Sequence, residues 1–347
     1  MTGPPPPSWA VDPDAAGARE VMPGLWRLRI PVGWEEFDHV NAYAIEHDEG
    51  FVLCDCGTGG DRSCSLALDR CLAAAGIRPE EITDLVVTHA HTDHSGLAAE
   101  LRERLPITIW GHPADAHSYH VLEDPEEAER RRGAVARRAG VPENRITAFA
   151  TAREETEGFT GIAHPDRTLR EGDEVPTGLG PWRVIEAPGH APSQICLVQL
   201  DLRLAIVADL LCATYITWLE YGWSPDPARE QRQSFERIAA VGPLELALPG
   251  HGRPIAAVDD VLAMHRDEYD ARLEAVRGAL EAGPASAYEL ADRAFGIDSV
   301  NDVAAVENLG AALSYLLRLR LAGAVERETG RGGRHRYRLT ADAPAAQ

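Results

Sequence analysis

The segment THAHTDHSG, from Thr88 to Gly96, places three histidines and an aspartate within six positions, directly after the apolar run DLVV. The apolar run is typical of a buried strand, so the polar side chains should emerge where that strand ends. Imidazole and carboxylate groups are ligands that suit zinc, and iron or manganese accept the same donors. We therefore predict a metal centre rather than a polar turn, with the ligands His89, His91, Asp93 and His94.

The spacing of these four residues predicts that their side chains approach a metal centre from two directions. His89, His91 and Asp93 share parity, so in an extended chain their side chains point the same way. His94 is expected to begin the following helix and to approach from another direction. Four such side chains could surround two neighbouring points in space.

Three further candidate ligands each close a predicted strand. His190 ends WRVIEAPGH, Asp209 ends AIVAD, and His251 lies in LALPGHG. Strand ends that give way to loops are the usual position of site residues on open sheets. Singly, each could be an ordinary turn or core residue, but together with the first motif they predict a completed ligand set.

With these residues and Asp55 in the sequence DCG, the chain resembles the metallo-β-lactamase superfamily, in particular its zinc hydrolase branch of glyoxalase II-like enzymes and lactamase-like endoribonucleases. The resemblance runs from about Met22 to Ala256. It implies an α/β fold, the αβ/βα sandwich, with the metals at one rim of the two sheets. Because the first ligand is His89 rather than a glutamate, the chain departs from the diiron flavoprotein branch, and a hydrolase is favoured over an oxygen reductase.

The resemblance also implies a role for each candidate. Two divalent metal ions are expected, with zinc preferred and iron or manganese as alternatives. Asp55 is expected to orient a ligand histidine or the motif loop by hydrogen bonding. The first metal would be held by His89, His91 and His190, and the second by Asp93, His94 and His251, with Asp209 bridging the two.

Two neighbouring metals lower the pKa of a bridging water and polarise the carbonyl or phosphoryl oxygen of a substrate. Asp93 and Asp209 are the expected catalytic residues, because they are placed to hold the resulting hydroxide and to handle its proton. The leading hypothesis is hydrolysis of a small thioester, ester or lactone. The alternative is an endoribonuclease or other phosphodiesterase that uses the same centre.

Aromatic side chains collect in two segments that lie near the metal rim in the resembled fold, and they predict an apolar substrate pocket. Core packing of the second segment is the alternative. The residues are Trp34 and Phe37 in WEEF, and Tyr215, Trp218, Tyr221 and Trp223 in CATYITWLEYGW. The histidines of GHPADAHSYH are instead expected to form a solvated helix start, since no acid or cysteine stands at chelating spacing; they are His112, His117 and His120.

Alternating strand and helix patterns predict a mixed sheet covered by helices. The Pro- and Ala-rich residues 1–21 are expected to be a disordered leader. The catalytic domain is placed at 22–282, with a polar insertion at 115–163. The break at Gly283-Pro284 separates it from a smaller unit at 283–340, which a tail at 341–347 follows.

The smaller unit has helical patterns followed by a Gly-rich hairpin, and so resembles a winged-helix module such as some endoribonucleases of the superfamily carry. Its arginines could contact a phosphate backbone. The alternative is a packing or dimerisation domain with a solvated basic hairpin. The arginines are Arg318, Arg320, Arg327, Arg331, Arg334, Arg336 and Arg338.

The composition limits the partners. A formal net charge of −21 over 347 residues disfavours nucleic acid and anionic membranes. A small acyl compound is therefore the expected partner, and a homodimer remains open. The chain shows neither a signal peptide nor a membrane-spanning run, so a cytoplasmic location is expected. Six cysteines without CxxC spacing are expected to be reduced apolar residues.

Overall fold

The computed structural model describes residues 15–33, 38–60, 62–151, 158–300 and 302–341. Trp34 and Phe37, two of the predicted pocket residues, lie outside the described residues. The same holds for most of the predicted leader and for residues 342–347 of the predicted tail.

The first sheet carries the THAHTDHSG segment at the end of one of its inner strands. Its strands are hydrogen-bonded in sequence order, antiparallel from β1 to β4 and parallel from β4 to β7. They are β1 (Gly17–Met22), β2 (Leu25–Pro31), β3 (His39–His47), β4 (Gly50–Cys54), β5 (Ile82–Val87), β6 (Thr108–Gly111) and β7 (Arg167–Thr168).

The second sheet has the order β12-β11-β10-β9-β8. Strands β11 and β12 are parallel, and the other neighbours are antiparallel. The carboxyl ends of β9, β11 and β12 consequently lie at the same edge. The strands are β8 (Glu174–Val175), β9 (Trp182–Glu186), β10 (Ile195–Gln199), β11 (Leu204–Ala208) and β12 (Leu246–Pro249).

The two sheets face each other across one apolar layer, and helices cover their outer faces. Tyr43 and Val52 of the first sheet share a buried cluster with Trp182 and Leu197 of the second. This is the predicted α/β sandwich. The helices are α1 (Arg62–Ala74), α2 (Thr92–Ser95), α3 (Ala98–Arg104), α4 (Ala116–Glu123), α5 (Pro125–Ala139), α6 (Ile146–Thr151), α7 (Pro227–Ala240), α8 (Val258–Ala279), α9 (Ala287–Phe295) and α10 (Asp302–Leu321).

The C-terminal unit packs into the core of the second sheet. Helices α9 and α10 are followed by a hairpin of β13 (Val325–Thr329) and β14 (His335–Leu339), in the order predicted from the sequence. Leu316 of α10 belongs to the same buried cluster as Val207 of β11 and Phe235 of α7. The boundary at Gly283-Pro284 therefore marks a change of pattern along the chain and not a break in the apolar core.

The predicted disordered leader is wrong for its last residues. Strand β1 begins at Gly17 and pairs antiparallel with β2, with Ala18 opposite Leu28. The pairing satisfies backbone groups of β1 along the edge of the sheet, and Ala18 packs on the apolar layer under α1. A Pro/Ala-rich composition dominated the prediction and concealed this short edge strand.

Two other expectations concern the cysteines and the membrane. All six cysteines are buried and unbridged, as predicted. Among the described residues, no helix combines the length and the apolar character needed to cross a bilayer.

The shared core predicts that damage in the C-terminal unit destabilises the whole chain. All seven tryptophans precede the C-terminal unit in the sequence, and Trp26, Trp110 and Trp182 lie in strands of the two sheets, so tryptophan fluorescence reports on unfolding of the sandwich. Leu316→Ala should lower the free energy of unfolding by about 2–5 kcal/mol and shift the tryptophan-monitored thermal transition downward. Leu321, which is 60% exposed, gives the matched control, since Leu321→Ala should leave the transition in place. An unchanged transition in Leu316→Ala would show that the two units unfold independently.

Candidate metal centre

The THAHTDHSG segment leaves β5 and turns at once into the short helix α2. His89 and His91 lie on the extended part, and His91 is the residue before the first turn of α2. Asp93 lies inside the helix together with His94. The prediction that Asp93 continues the extended segment is therefore wrong, because helix α2 begins at Thr92, two residues before the expected start at His94. Because of this earlier start, the Asp93 side chain points towards His251 and does not lie beside His89 and His91.

His89, His91 and His190 form the first group of ligand atoms. Their candidate ligand atoms lie within 4.8 Å of one another. The ring centroids of His89 and His190 are 5.2 Å apart, and those of His91 and His190 are 4.7 Å apart. His190 follows β9, so the two sheets together bring this group into one place.

Asp93, His94 and His251 form the second group, also within 4.8 Å of one another. The Nε2 atom of His251 lies 3.0 Å from Asp93 Oδ2. Asp209 lies between the two groups. Its Oδ2 atom is 3.5 Å from His190 Nε2 and 3.5 Å from His251 Nε2. The structure thus brings the seven predicted ligands together, with Asp209 at the position predicted for the bridge.

Asp55 holds the motif segment from behind. Its Oδ1 atom accepts a hydrogen bond from the backbone N–H of Thr88, and its Oδ2 atom accepts one from the Thr88 hydroxyl, each 2.8 Å long. Oδ2 also lies 2.8 Å from His94 Nδ1. Asp55 therefore contacts both a ligand histidine and the motif segment, and its hydrogen bond leaves His94 Nε2 for a metal.

Strained and crowded backbone surrounds the ligands. Asp55 and Ala208, the residue before Asp209, have positive φ angles of 63° and 44°. Such conformations are unfavourable for residues other than glycine and persist where the surroundings enforce them. Gly250 meets a different constraint, because a Cβ atom there would overlap Asp209 Oδ1 and lie 2.7 Å from His94 Cε1.

The histidines of the centre differ in their electrostatic surroundings. Burial alone would lower the pKa of His94, but Asp93, Asp209 and Asp55 outweigh burial and raise this pKa well above its usual range. Burial alone would also lower the pKa of His251, but the neighbouring Asp209 and Asp93 raise it to about 10. These two imidazoles therefore carry protons at neutral pH when no metal is bound.

The two histidines His89 and His190 of the first group have lowered pKa values instead. Burial and the neighbouring His94 and His91 hold the pKa of His89 well below its usual range. Burial and His91 lower the pKa of His190 to about 3. These two imidazoles are neutral and offer lone pairs. The Nε2 atoms of His89 and His190 are buried and have no hydrogen-bond partner among the described residues.

The donor set fits divalent metal ions. Buried nitrogens without a hydrogen-bond partner are costly unless a ligand satisfies them. Imidazole and carboxylate are the donors that zinc accepts, and the carboxylates supply the negative charge. The residues present therefore match a metal centre in chemistry as well as in position.

The family comparison agrees with this geometry. The model of the family described as the metallo-beta-lactamase superfamily matches residues 36–251, more than half of the chain. The chain belongs to the metallo-beta-lactamase superfamily. The match confirms the fold implied by the resemblance, and it includes all the candidate ligands from His89 to His251.

Two relatives of this chain are named as hydrolases. "Probable metallo-hydrolase YqjP" of Bacillus subtilis (strain 168) is 26% identical over 276 residues, which cover 77% of this chain and 84% of that protein. "Acyl-coenzyme A thioesterase MBLAC2" of Bos taurus is 26% identical over 226 residues, which cover 63% and 75% respectively. The metallo-beta-lactamase family protein TTHA1429 from Thermus thermophilus has a TM-score of 0.80 and 25% identity, and the match covers 92% of this chain and 100% of that chain. The chain is accordingly a hydrolase of this superfamily.

Sequence reasoning missed two residues beside the first group. His117 was expected to be solvated, but its side chain is buried and its Nδ1 atom lies 2.7 Å from Glu220 Oε2. The expectation failed because it counted acids only at nearby positions, whereas Glu220 comes from the loop after β11. Its position, two residues after Trp218 in the predicted pocket segment, was the only signal in the sequence.

The predicted pocket residues divide between two places. Trp218, Tyr221 and Trp223 line a cavity of about 160 Å³ next to the centre. Trp218 also stacks on His91, with ring centroids 5.3 Å apart and planes at 19°. The Tyr215 ring instead faces His251, with centroids 6.2 Å apart.

The crowding at Gly250 predicts a substitution that damages the metal centre selectively. Gly250→Ala should displace Asp209 or His94 and lower the metal content per folded chain below that of the wild-type protein, as measured by elemental analysis. Gly278→Ala is the matched control, because a Cβ atom at Gly278 in helix α8 meets nothing within 4 Å. Full metal content in Gly250→Ala would contradict the described crowding.

The pKa pattern predicts proton release when metal binds. Metals bind neutral imidazole, so ions must displace the protons of His94 and His251, whereas His89 and His190 have none to lose. Loading the metal-free protein at pH 8 should release roughly two protons per chain from these residues. A pH indicator in weak buffer measures the release during a metal titration. Uptake of metal without proton release would show that the carboxylates do not raise these pKa values.

Proposed function

We propose that this protein hydrolyses small thioesters, esters or lactones at a centre of two divalent metal ions, most suitably zinc. The observation that carries the proposal is the convergence of seven candidate ligand side chains into two groups, six of them buried and His91 partly buried, with Asp209 between the groups. A single closed structural metal site would need only four such ligands. The number and arrangement of these residues suit a pair of ions better than one.

The bound ions would lower the pKa of a water and polarise a carbonyl oxygen. Within the chain, His89, His91 and His190 would hold one ion, and Asp93, His94 and His251 the other. Asp209 would contact both. Asp93 and Asp209 are the carboxylates at the centre, and nearby histidines keep the pKa of each well below its usual range even though burial alone would raise it. They are therefore ionised and able to accept a hydrogen bond from the attacking water.

The cavity beside the first group supports an acyl substrate. Its walls come from the loop after β11, from helices α5 and α6 of the insertion and from α10 of the C-terminal unit. Trp218, Phe149 and Leu313 provide apolar surface, and Arg131 closes one side by packing over the Trp223 ring at 3.9 Å. A volume of about 160 Å³ is close to the roughly 150 Å³ cavity that holds benzene in another protein. The cavity thus fits one aromatic ring or a medium-length alkyl group.

The basic hairpin gives less support to RNA as the substrate. Arg338 forms ion pairs with Glu326 and Glu328, and Arg318 pairs with Asp226. Arg336 donates to the backbone carbonyl of Pro284. These arginines are therefore engaged in contacts within the chain, which leaves less positive charge for a phosphate backbone. In this proposal the C-terminal unit provides a wall of the acyl cavity, and its resemblance to a winged helix carries no nucleic-acid function.

A series of thioesters tests the function and the cavity together. The substrates share one thiol and carry acetyl, hexanoyl or phenylacetyl groups. Burying a ring of this size is worth about 1.5–3 kcal/mol, so kcat/KM should rise roughly 10- to 100-fold from acetyl to phenylacetyl. Removing the metals should abolish turnover of all three. No metal-dependent turnover of any of them, together with salt-sensitive cleavage of single-stranded RNA, would overturn the proposal.

Gly310 in α10 provides a variant that fills the cavity. A Cβ atom at Gly310 meets only Leu219 O, at 3.5 Å, so Gly310→Ala is a mild control. Gly310→Leu should remove most of the preference for the larger acyl groups and leave acetyl turnover within about twofold of the control, because only the acyl cavity is filled. An equal loss for all three substrates would show that the cavity does not select the acyl group.

A further inference from the structure

Glu220 places a largely buried carboxylate against one of the proposed metal ligands. Its Oε2 atom lies 3.4 Å from His91 Nε2, and the side chain is 13% exposed. Trp218 stacks on the same imidazole, so His91 is held on its face by an indole and at its Nε2 edge by a carboxylate.

The other four histidines of the centre show which ring nitrogen a metal would use. In each of them Nδ1 faces a protein partner, so Nε2 is the ring nitrogen that an ion would use. These Nδ1 contacts are His89 with Thr88 Oγ1 at 3.2 Å, His94 with Asp55 at 2.8 Å, His190 with Trp218 O at 2.9 Å and His251 with His39 O at 3.0 Å. His91 is arranged the other way round, because its carboxylate partner lies at Nε2.

We propose that Glu220 positions His91 as a ligand of the first metal by accepting its Nε2–H, so that His91 offers Nδ1 to the ion. The inference rests on the metal centre of the proposed function. A carboxylate behind a ligand imidazole fixes its tautomer and orientation and makes it a stronger donor. Asp55 serves His94 in this way, and Glu220 is the corresponding residue on the other side of the centre.

A second layer of contacts holds Glu220 in place. His117 of helix α4 lies with Nδ1 2.7 Å from Glu220 Oε2 and Nε2 2.8 Å from Ser193 Oγ. Ser193 Oγ in turn accepts the backbone N–H of Ala90, the residue between His89 and His91. Ser118 Oγ lies 3.2 Å from the same Nδ1 atom of His117, so both ring nitrogens of His117 have polar partners in this chain of contacts.

The chain of contacts joins segments that are distant in the sequence. It links the motif segment, the loop after β9, the insertion helix α4 and the loop after β11. Glu220 also lines the proposed acyl cavity. Glu220 therefore contacts the proposed ligand His91 from a loop that also forms part of the cavity wall.

A separate ion at His91, His117 and Glu220 is the competing explanation, because their ligand atoms also lie within 4.8 Å of one another. Such an ion would need Nε2 of His91 while the first metal uses Nδ1. The positioning role requires no bridging imidazolate and leaves His117 with a hydrogen-bonding function. The two explanations differ in the number of ions bound.

Metal titration tests the inference without any substrate. A competing chromophoric chelator should show that Glu220→Gln weakens one of two metal equivalents by roughly 10- to 100-fold and leaves the other unchanged. The visible spectrum of the cobalt-loaded protein should change for the weakened equivalent alone. His117→Ala should weaken the same equivalent by a smaller factor, because Glu220 keeps its carboxylate but loses its donor.

Glu186 supplies the matched control, since it forms a similar contact with His112 at 3.3 Å away from the proposed ligands. Glu186→Gln should leave both equivalents and the cobalt spectrum unchanged, and the retained second equivalent in Glu220→Gln shows that this variant is folded. Unchanged affinities in Glu220→Gln, or a third wild-type ion that only Glu220→Gln and His117→Ala lose, would overturn the inference. Tight binding of two ions without thioester turnover would count against the proposed function alone.

Discussion

The structure buries several imidazoles and carboxylates close to one another. The negative charge of the carboxylates must be balanced there by protons on the histidines or by metal ions. Asp93 and Asp209 are buried, and in the metal-free chain protonated His94 and His251 provide their counter-charge. His89 and His190 meanwhile present buried nitrogens without hydrogen-bond partners among the described residues. Divalent ions would resolve both problems at once, because they replace the protons on one side and occupy the lone pairs on the other. This requirement explains why the surrounding backbone accepts strain at Asp55 and Ala208.

The sandwich meets this requirement by bringing strand ends together. The candidate ligands follow β5, β9, β11 and β12, and Asp55 follows β4. The loops beyond these ends add a second layer, in which Thr88, Trp218 and Glu220 contact the histidines. The C-terminal unit takes part through the shared core and the cavity wall, so the site and the distal helices belong to one packed body.

Much of this arrangement was predictable from the sequence because its signals are local. Short spacing predicted the first four candidate ligands, strand-end positions predicted His190, Asp209 and His251, and the folded chain brings these seven side chains together. Predictions that depended on long-range contacts were less successful. His117 has no acid at chelating spacing in its own segment, and only the folded chain brings Glu220 to it. The edge strand β1 was hidden by composition, and the exact start of helix α2, which turns Asp93 to the second group, depends on packing that the sequence pattern does not contain.

The central claim is that these side chains form a centre for two metal ions. The most direct measurement is anomalous diffraction from crystals of the protein purified with its own metals and recorded across the zinc, iron and manganese absorption edges. The account predicts two anomalous peaks, one among His89, His91 and His190 and the other among Asp93, His94 and His251, with Asp209 contacting both. A single peak, or ions bound away from these residues, would contradict it.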